Sequence, residues 1–335
     1  MISTELKTTI QGAYSRFLEA KSLKPRYGQR LMIAEVAKVL GDIDTDDEGR
    51  RSGEPAVVAV EAGTGTGKTV AYSLAAIPTA KAAGKRLVIA TATVALQEQI
   101  VYKDLPDLMR NSGLNFTFAL AKGRGRYMCL SKLDMLLQEG HAQTATAQLF
   151  EEEGFKIEVD EASQKLFTSM IEKLAGNKWD GDRDSWSTAL EDADWSRLTT
   201  DHSQCTNRHC PNFGQCAFYK AREGMGKVDV IVTNHDMVLA DLALGGGAVL
   251  PDPRDTIYVF DEGHHLPDKA IGHFAHYTRL RSTADWLETT AKNLTKLLAQ
   301  HPLPGDLGKF IEQVPELARE IKTNQQFMFT ACEQV

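Results

Sequence analysis

Residues 57–69, VVAVEAGTGTGKT, constrain the fold of this chain more than any other segment. A short apolar run at 57–60 leads into a glycine-rich loop ending in Gly-Lys-Thr, the pattern of a phosphate-binding loop. The run predicts a buried parallel strand. The residues after the loop, from about 69 to 83, predict a helix whose positive end faces bound phosphate. The sequence therefore predicts an α/β fold with a site for ATP or GTP.

Each part of this loop has a chemical role. The glycines leave backbone N–H groups free to surround phosphate oxygens. Lys68 would place its charge near the β- and γ-phosphates, and the Thr69 hydroxyl is the expected Mg²⁺ ligand. Alanine in place of the first glycine of the pattern is a small departure. The predicted nucleotide-binding residues of the loop are Ala62, Gly63, Thr64, Gly65, Thr66, Gly67, Lys68 and Thr69.

Length and charge set broad limits. A chain of 335 residues can hold two domains or one α/β domain with insertions. We find no apolar run long enough to cross a membrane and no secretory signal, so we expect a cytoplasmic protein. The net charge of −7 argues weakly against nucleic-acid binding over the whole surface, but it allows a local basic channel.

Strand and helix patterns alternate along the chain. Helices are predicted at 5–20, at 29–40 and over 94–105, with strands at 86–90, 116–120, 228–232 and 257–260. The stretch from about 122 to 222 has no long β-branched run, although apolar spacing predicts a helix that ends near residue 176. Since strand-and-helix alternation flanks this stretch, it reads as an insertion of about 100 residues within one sheet.

Two adjacent carboxylates follow the last predicted strand, at Asp261 and Glu262. Neighbouring strand residues face opposite ways, so the two acids can do different work. In phosphoryl transfer one acid holds Mg²⁺ and another orients and deprotonates the attacking water. We assign Asp261 to Mg²⁺ and Glu262 to water, which gives three catalytic candidates with Lys68.

Four cysteines form a third signal. Cys205, Cys210 and Cys216 have the spacing C-x4-C-x5-C, and Cys129 precedes them. A zinc ribbon prefers two-residue gaps, whereas thiolates around an iron–sulfur cube stand further apart. Spacing alone leaves open a cluster, a zinc site to which His202 or His209 could contribute, or buried structural cysteines.

A fourth signal is basic and aromatic, and it lies just before Cys129. Cations bind a phosphate backbone and an aromatic ring stacks on a base. A solvated charged face is the equally weighted alternative. The residues concerned are Lys122, Arg124, Arg126 and Tyr127.

Taken together, these motifs resemble the DinG family of DNA helicases, in the iron–sulfur branch that includes XPD. The resemblance covers nearly the whole chain. It rests on an ordered set of motifs: RYGQR, EAGTGTGKT, TATVALQEQI, KGRGRYMC, KWDGDRD, C-x4-C-x5-C, VTNHDMVLA, VLPDP and DEGHHLPD.

The resemblance implies a RecA-like parallel sheet, a [4Fe-4S] cluster on the four cysteines, and ATP-driven 5′ to 3′ movement along single-stranded DNA. Gln29 matches the residue that reads adenine, and Arg26 is at the matching upstream position. Thr91, Thr93 and Gln97 match a segment that contacts the DNA backbone. Expected substrates are single-stranded tails, forks and R-loops in DNA repair. A single-strand-binding protein is a candidate partner, and we expect a nucleoid-associated monomer.

The implied domains are N-terminal helices at 1–56, a motor domain in two parts at 57–121 and 223–268, an iron–sulfur insertion at 122–222, and the start of a helical arch at 269–335. In the family a second motor domain follows, with arginines that complete the ATP site. Since the sequence given stops before it, we expect this chain alone to hydrolyse ATP poorly. The alternatives are an ATP- and metal-binding sensor module, or a DinG-like paralogue in replication repair.

Overall fold

We analysed a computed structural model of the chain. The structure describes residues 2–44, 46–48, 51–63, 65–139, 161–201, 204–275, 280–300 and 306–333. Thr64 and His202, both named above, lie outside these residues. The chain divides into two compact units, residues 1–273 and residues 274–335, and each is described by itself.

A four-stranded parallel sheet lies at the centre of the first unit. Its strands are β1 (Arg86–Thr91), β2 (Phe118–Leu120), β3 (Val230–Asn234) and β4 (Thr256–Phe260), in the order β2-β3-β1-β4. Leu87 pairs with Val230 on one side and with Ile257 on the other. All four strands were predicted from the sequence. Because the strands are parallel, their carboxyl ends meet at one edge of the sheet.

Helices cover both faces of this sheet. The helices of the first unit are α1 (Thr4–Ala20), α2 (Tyr27–Gly41), α3 (Lys68–Ala82), α4 (Val94–Gln99), α5 (Leu105–Ser112), α6 (Leu130–Glu139), α7 (Glu161–Ala175), α8 (Asp192–Leu198), α9 (Ala217–Met225), α10 (His235–Ala243) and α11 (Leu266–Phe274). A π-helical turn at Ile100–Asp104 joins α4 to α5. Helices α1, α2 and α3 pack on the face that carries Leu87 and Ile89, while Val88 and Ala90 face α10. This alternation is expected of a strand buried on both faces.

The run before the phosphate loop is not a strand. Residues 55–63 have no regular secondary structure and pair with no strand among the described residues, and Val57 is 80% exposed. The prediction of a buried strand at 57–60 is therefore wrong for this structure. Of residues 57–60, Val58 alone packs against the main core. A β-branched apolar run has the propensity for a strand, but burial also needs a neighbouring strand to pair with it.

The insertion between β2 and β3 has its own core. Its described part is mostly helical and comprises α6 to α9, of which α7 is the helix predicted to end near residue 176. Phe167, Met170 and Leu198 are fully buried there, beside Trp179 and Trp195. One short antiparallel bridge joins Tyr127 to Asp182, so the segment that leaves β2 is tied directly to the middle of the insertion.

The second unit is a pair of long helices, α12 (Leu280–Gln300) and α13 (Asp306–Glu333). An ion pair of 2.5 Å joins Lys322 of α13 to Glu288 of α12. Ala318 is buried, whereas Trp286 and Phe310 are mostly exposed. Across both units, no described helix is both long and apolar enough to cross a bilayer.

Candidate functional site

The phosphate loop and the carboxyl end of β4 meet at the sheet edge. Lys68, the first residue of α3, lies 3.1 Å from a carboxylate oxygen of Glu262. Its ammonium also donates to the Ala62 carbonyl at 3.3 Å. The structure therefore brings together the loop lysine and the acid pair, which are 194 positions apart in the sequence.

The loop backbone requires glycine at two positions. Gly65 and Gly67 have φ values of +78° and +79°, in the left-handed region that L side chains rarely adopt. A Cβ atom on Gly67 would lie 2.4 Å from the amide nitrogen of Gln29. The close approach of α2 and the loop thus depends on the missing side chain.

Two residues of the RYGQR motif hold this loop from the outside. The Gln29 amide donates to the Gly67 carbonyl at 3.3 Å, and its oxygen accepts a hydrogen bond from Tyr14 at 3.1 Å. The Arg26 guanidinium donates to the Gly65 carbonyl. Both side chains are therefore in place at the phosphate loop, and a contact between Gln29 and adenine remains a prediction.

Asp261 is held at three points. Its backbone N–H donates to the Ala90 carbonyl at 2.8 Å, which continues the β1–β4 ladder by one residue. Its carbonyl accepts from His235 at 2.9 Å, and its carboxylate lies 3.4 Å from the Tyr72 hydroxyl. Burial, and then the charge of Glu262, raises the pKa of the Asp261 carboxyl. A buried carboxylate beside another carboxylate is suited to receive a cation.

Glu262 has an unusual backbone. Its φ is +53°, in the left-handed region that costs a non-glycine residue free energy. The turn places its carboxylate toward Lys68, and His264 lies 3.5 Å from the other carboxylate oxygen. Backbone strain at this residue therefore coincides with the position where chemistry is expected.

Hydrogen bonds between its own residues hold the TATVALQ segment in place. Thr91 is fully buried and donates to the Thr93 carbonyl at 3.0 Å. The Thr93 hydroxyl caps α4 by accepting from the Leu96 N–H at 3.3 Å. Gln97 is 2% exposed. Of the three predicted DNA contacts here, only Thr93 is exposed at the surface.

The basic run after β2 is partly neutralised. Lys122 is buried between two carboxylates, at 2.5 Å from Asp182 and 2.7 Å from Asp184. Arg126 also pairs with Asp184. A DNA-binding run and a solvated face were the two expectations, and Lys122 fits neither, because it forms a buried ion pair with the KWDGDRD segment.

Tyr127 is buried as well, and Arg124 faces the cysteines. The Tyr127 ring packs edge-on against Phe218, and burial raises the pKa of Tyr127 to about 12. The Arg124 guanidinium lies 4.2 Å from the centre of the Phe218 ring and donates to Cys205 Sγ at 2.6 Å. The aromatic residue of the run therefore belongs to the core of this region.

The four predicted cysteines line a single cavity. Cys129, Cys205, Cys210 and Cys216 meet there with Arg124, Phe213 and Phe218. Burial raises the pKa of the Cys129 thiol, and the Ser131 hydroxyl lies 3.1 Å from Cys210 Sγ. In the part of the chain that the structure describes, no three Cys, His, Asp or Glu side chains are arranged to hold one metal ion. The cavity thus has a four-thiol lining without a tight single-ion cage.

Comparisons with known proteins agree with the motif set. Residues 50–150 match the family model described as DEAD/DEAH box helicase. The chain is 40% identical over 298 residues to the "ATP-dependent DNA helicase DinG" of Photobacterium profundum. It is 38% identical over 299 residues to the protein of that name from Escherichia coli strain K12. The resemblance to the DinG helicases is confirmed.

The alignments with the DinG proteins cover most of this chain but less than half of each relative. Each of these alignments covers 89% of this chain, but only 41% and 39% of the two relatives. The chain thus spans about two fifths of the length of the DinG proteins it matches. A solved structure described as an XPD helicase matches with a TM-score of 0.42 at 16% identity, over 91% of this chain and 48% of that one.

Three contributors to the site were not assigned from the sequence. Tyr72 touches Asp261 from α3, and Asp182 and Asp184 neutralise Lys122. Tyr72 lies one helical turn after Thr69, so helical spacing alone could have placed it at the site. The aspartates belong to the recognised KWDGDRD motif, but only the fold reveals which cation they face.

Proposed function

We propose that this chain forms the nucleotide-binding part of a DinG-type, ATP-dependent DNA helicase. The observation that carries the proposal is the 3.1 Å contact between Lys68 and Glu262 beside a glycine-rich loop with two left-handed glycines. The similarity to DinG proteins over 89% of the chain selects ATP-driven work on DNA among the functions that a phosphate loop supports.

In the proposed reaction the loop amides and Lys68 bind the β- and γ-phosphates. Thr69 and Asp261 would hold Mg²⁺, which would neutralise charge on the phosphates. Glu262 orients the attacking water and accepts its proton. Arginines that would complete the γ-phosphate site belong, by the resemblance, to a second motor domain.

DNA binding is proposed for the side chains that remain accessible. Thr93 is exposed, and Arg124 and Arg126 are half-buried. The buried residues below them would then hold the accessible side chains in place along the proposed DNA path; these are Thr91, Gln97, Lys122 and Tyr127. The proposed substrates are single-stranded tails, forks and R-loops, with 5′ to 3′ movement, a monomeric state and a cytoplasmic, nucleoid-associated location. A single-strand-binding protein is the proposed partner.

A [4Fe-4S] cluster is proposed for the cysteine cavity. Four thiols around one space form the donor set of such a cluster, and the resemblance to the DinG family favours the cluster over zinc. When bound, the cluster would link Cys129 covalently to the segment that carries the other three cysteines. The proposed domain boundaries remain those given by the sequence.

Single-turnover hydrolysis tests the proposed function. With protein in excess over labelled ATP, and with Mg²⁺ and single-stranded DNA, the chain should release phosphate. Glu262→Gln should bind ATP and lose about 10² or more in rate, and Lys68→Ala should bind poorly. Equal rates in all three proteins, with fold retained, would overturn the assignment.

A further inference from the structure

Tyr72 contacts one proposed magnesium ligand from the helix that carries the other. It lies on α3 three residues after Thr69, on the same helical face. Its hydroxyl is 3.4 Å from Asp261 Oδ2. One side chain therefore joins the helix that holds Thr69 to the carboxylate of Asp261.

The direction of the hydrogen bond follows from the chemistry of the two groups. Tyr72 is 5% exposed, and a phenol hydroxyl carries its proton at neutral pH. Since an ionised carboxylate can only accept, Tyr72 donates to Asp261 and fixes the direction of that carboxylate.

His235 holds the same residue by its backbone. The ring is fully buried and Nε2 lies 2.9 Å from the Asp261 carbonyl. A carbonyl only accepts, so Nε2 carries the proton. His235 is the first residue of α10, directly after β3, whereas Tyr72 comes from α3. Helices α3 and α10 thus contact Asp261 at its carboxylate and at its backbone carbonyl, just before the left-handed turn at Glu262.

We propose that Tyr72 and His235 are positioning residues that orient Asp261 to receive Mg²⁺. Tyr72 aims the carboxylate, and His235 anchors the main chain from which it projects. The inference rests on the proposed function, since it concerns the magnesium that accompanies the nucleotide. It differs from a general packing role because a packing defect would weaken nucleotide binding whether or not Mg²⁺ is present.

The ratio of two affinities separates these roles. A fluorescent, non-hydrolysable ATP analogue is titrated into the full chain with Mg²⁺ and again with EDTA. The dissociation constant with EDTA divided by the dissociation constant with Mg²⁺ reports how much magnesium strengthens nucleotide binding. Tyr72→Phe should reduce this ratio about tenfold, as expected for loss of one hydrogen bond to a charged group, and should leave the EDTA affinity unchanged.

Tyr258→Phe is the matched control. Tyr258 lies on β4, and its buried hydroxyl has no hydrogen-bond partner among the described residues. The same atom is deleted from the strand that leads to Asp261, without loss of a contact to it. The ratio for this variant should equal that of the wild type.

A pair of substitutions tests His235. His235→Leu removes the donor and should lower the ratio, while His235→Gln restores an N–H group at similar reach and should recover part of it. Melting temperatures are measured for every variant without ligand. A partial recovery by glutamine is not expected if the ring acts only as a packing element.

The outcomes are distinguishable. A wild-type ratio of one would contradict the magnesium site itself, and the inference would fall with it. A large wild-type ratio that Tyr72→Phe and His235→Leu leave unchanged would overturn the inference alone. Equal losses with Mg²⁺ and with EDTA would assign both residues to packing and would also overturn it.

Discussion

Lys68 and Glu262 form an ion pair of 3.1 Å between the phosphate loop and the end of β4. Both side chains are partly exposed, so the pair lies at the mouth of the site. A phosphate group that binds Lys68 must compete with this carboxylate, and it also comes close to a second negative charge. Glu262 therefore opposes nucleotide binding, although the proposed hydrolysis requires the same residue.

Glu262→Gln should accordingly bind an ATP analogue more tightly than the wild type, by about three- to tenfold, while it loses hydrolysis. Calorimetric titration measures the affinity. Glu61→Gln is the control, because Glu61 is an exposed acid just before the loop. Weaker binding by Glu262→Gln would show that the carboxylate supports the nucleotide and does not compete with it.

Asp261→Asn should stabilise the nucleotide-free protein and abolish its Mg²⁺ dependence. Burial raises the pKa of Asp261, so the folded state retains a proton that the unfolded chain has already lost. This group therefore makes stability fall as pH rises from its unfolded pKa through its folded value. Asparagine removes that slope.

The measurement for Asp261→Asn is urea unfolding at a series of pH values, with Asp268→Asn, at an exposed position, as the control. The difference in unfolding free energy between wild type and Asp261→Asn should grow as pH rises across that window and then level off. A constant difference would mean that the carboxyl is not destabilised by burial.

The sequence predicted the sheet and the two segments, the phosphate loop and the acid pair, that meet at the candidate site. The strands could be predicted because each is a short apolar run between turn signals. The acid pair could be predicted because it directly follows such a run. The strand at 57–60 was predicted wrongly because its propensity is intrinsic, whereas its burial depends on a neighbour.

The role of the basic run could not be predicted for a related reason. Lys122 and Arg126 read as cations available to phosphate, but Asp182 and Asp184, about 60 residues later, neutralise them. Charge patterns along the chain do not show which charges meet in space. The contacts of Tyr72 and His235 with Asp261 likewise depend on how α3, α10 and β4 pack together.

Lys122→Met should destabilise the protein by about 2–4 kcal/mol, because it leaves two mostly buried carboxylates without their shared cation. Thermal unfolding measures the loss. Lys21→Met is the control, since Lys21 pairs with Asp107 at 2.9 Å but is 40% exposed and should contribute little. Similar small effects of both substitutions would remove Lys122 from the set of structural residues.

Arg124→Leu should lower the reduction potential of the proposed cluster. The Arg124 guanidinium donates to Cys205 Sγ, and a cationic donor stabilises the more negative, reduced state. Loss of one such hydrogen bond corresponds to about 60 mV for a one-electron couple. Spectroelectrochemistry of the anaerobically purified protein measures the shift.

Arg208→Leu provides the control for this experiment, because Arg208 carries the same charge on the cysteine-bearing segment but is exposed. Its potential should match the wild type. A colourless wild-type protein without iron would contradict the cluster proposal, whatever the variants do.

Calorimetric titration of the chain with Mg²⁺ and a non-hydrolysable ATP analogue tests the central claim most directly. We predict about one molar equivalent bound by the wild type, and at least a tenfold loss of affinity in Lys68→Ala at an unchanged melting temperature. Equal affinity in both proteins, or no binding by a folded wild type, would contradict the assignment of residues 62–69 and Glu262 as a nucleotide site.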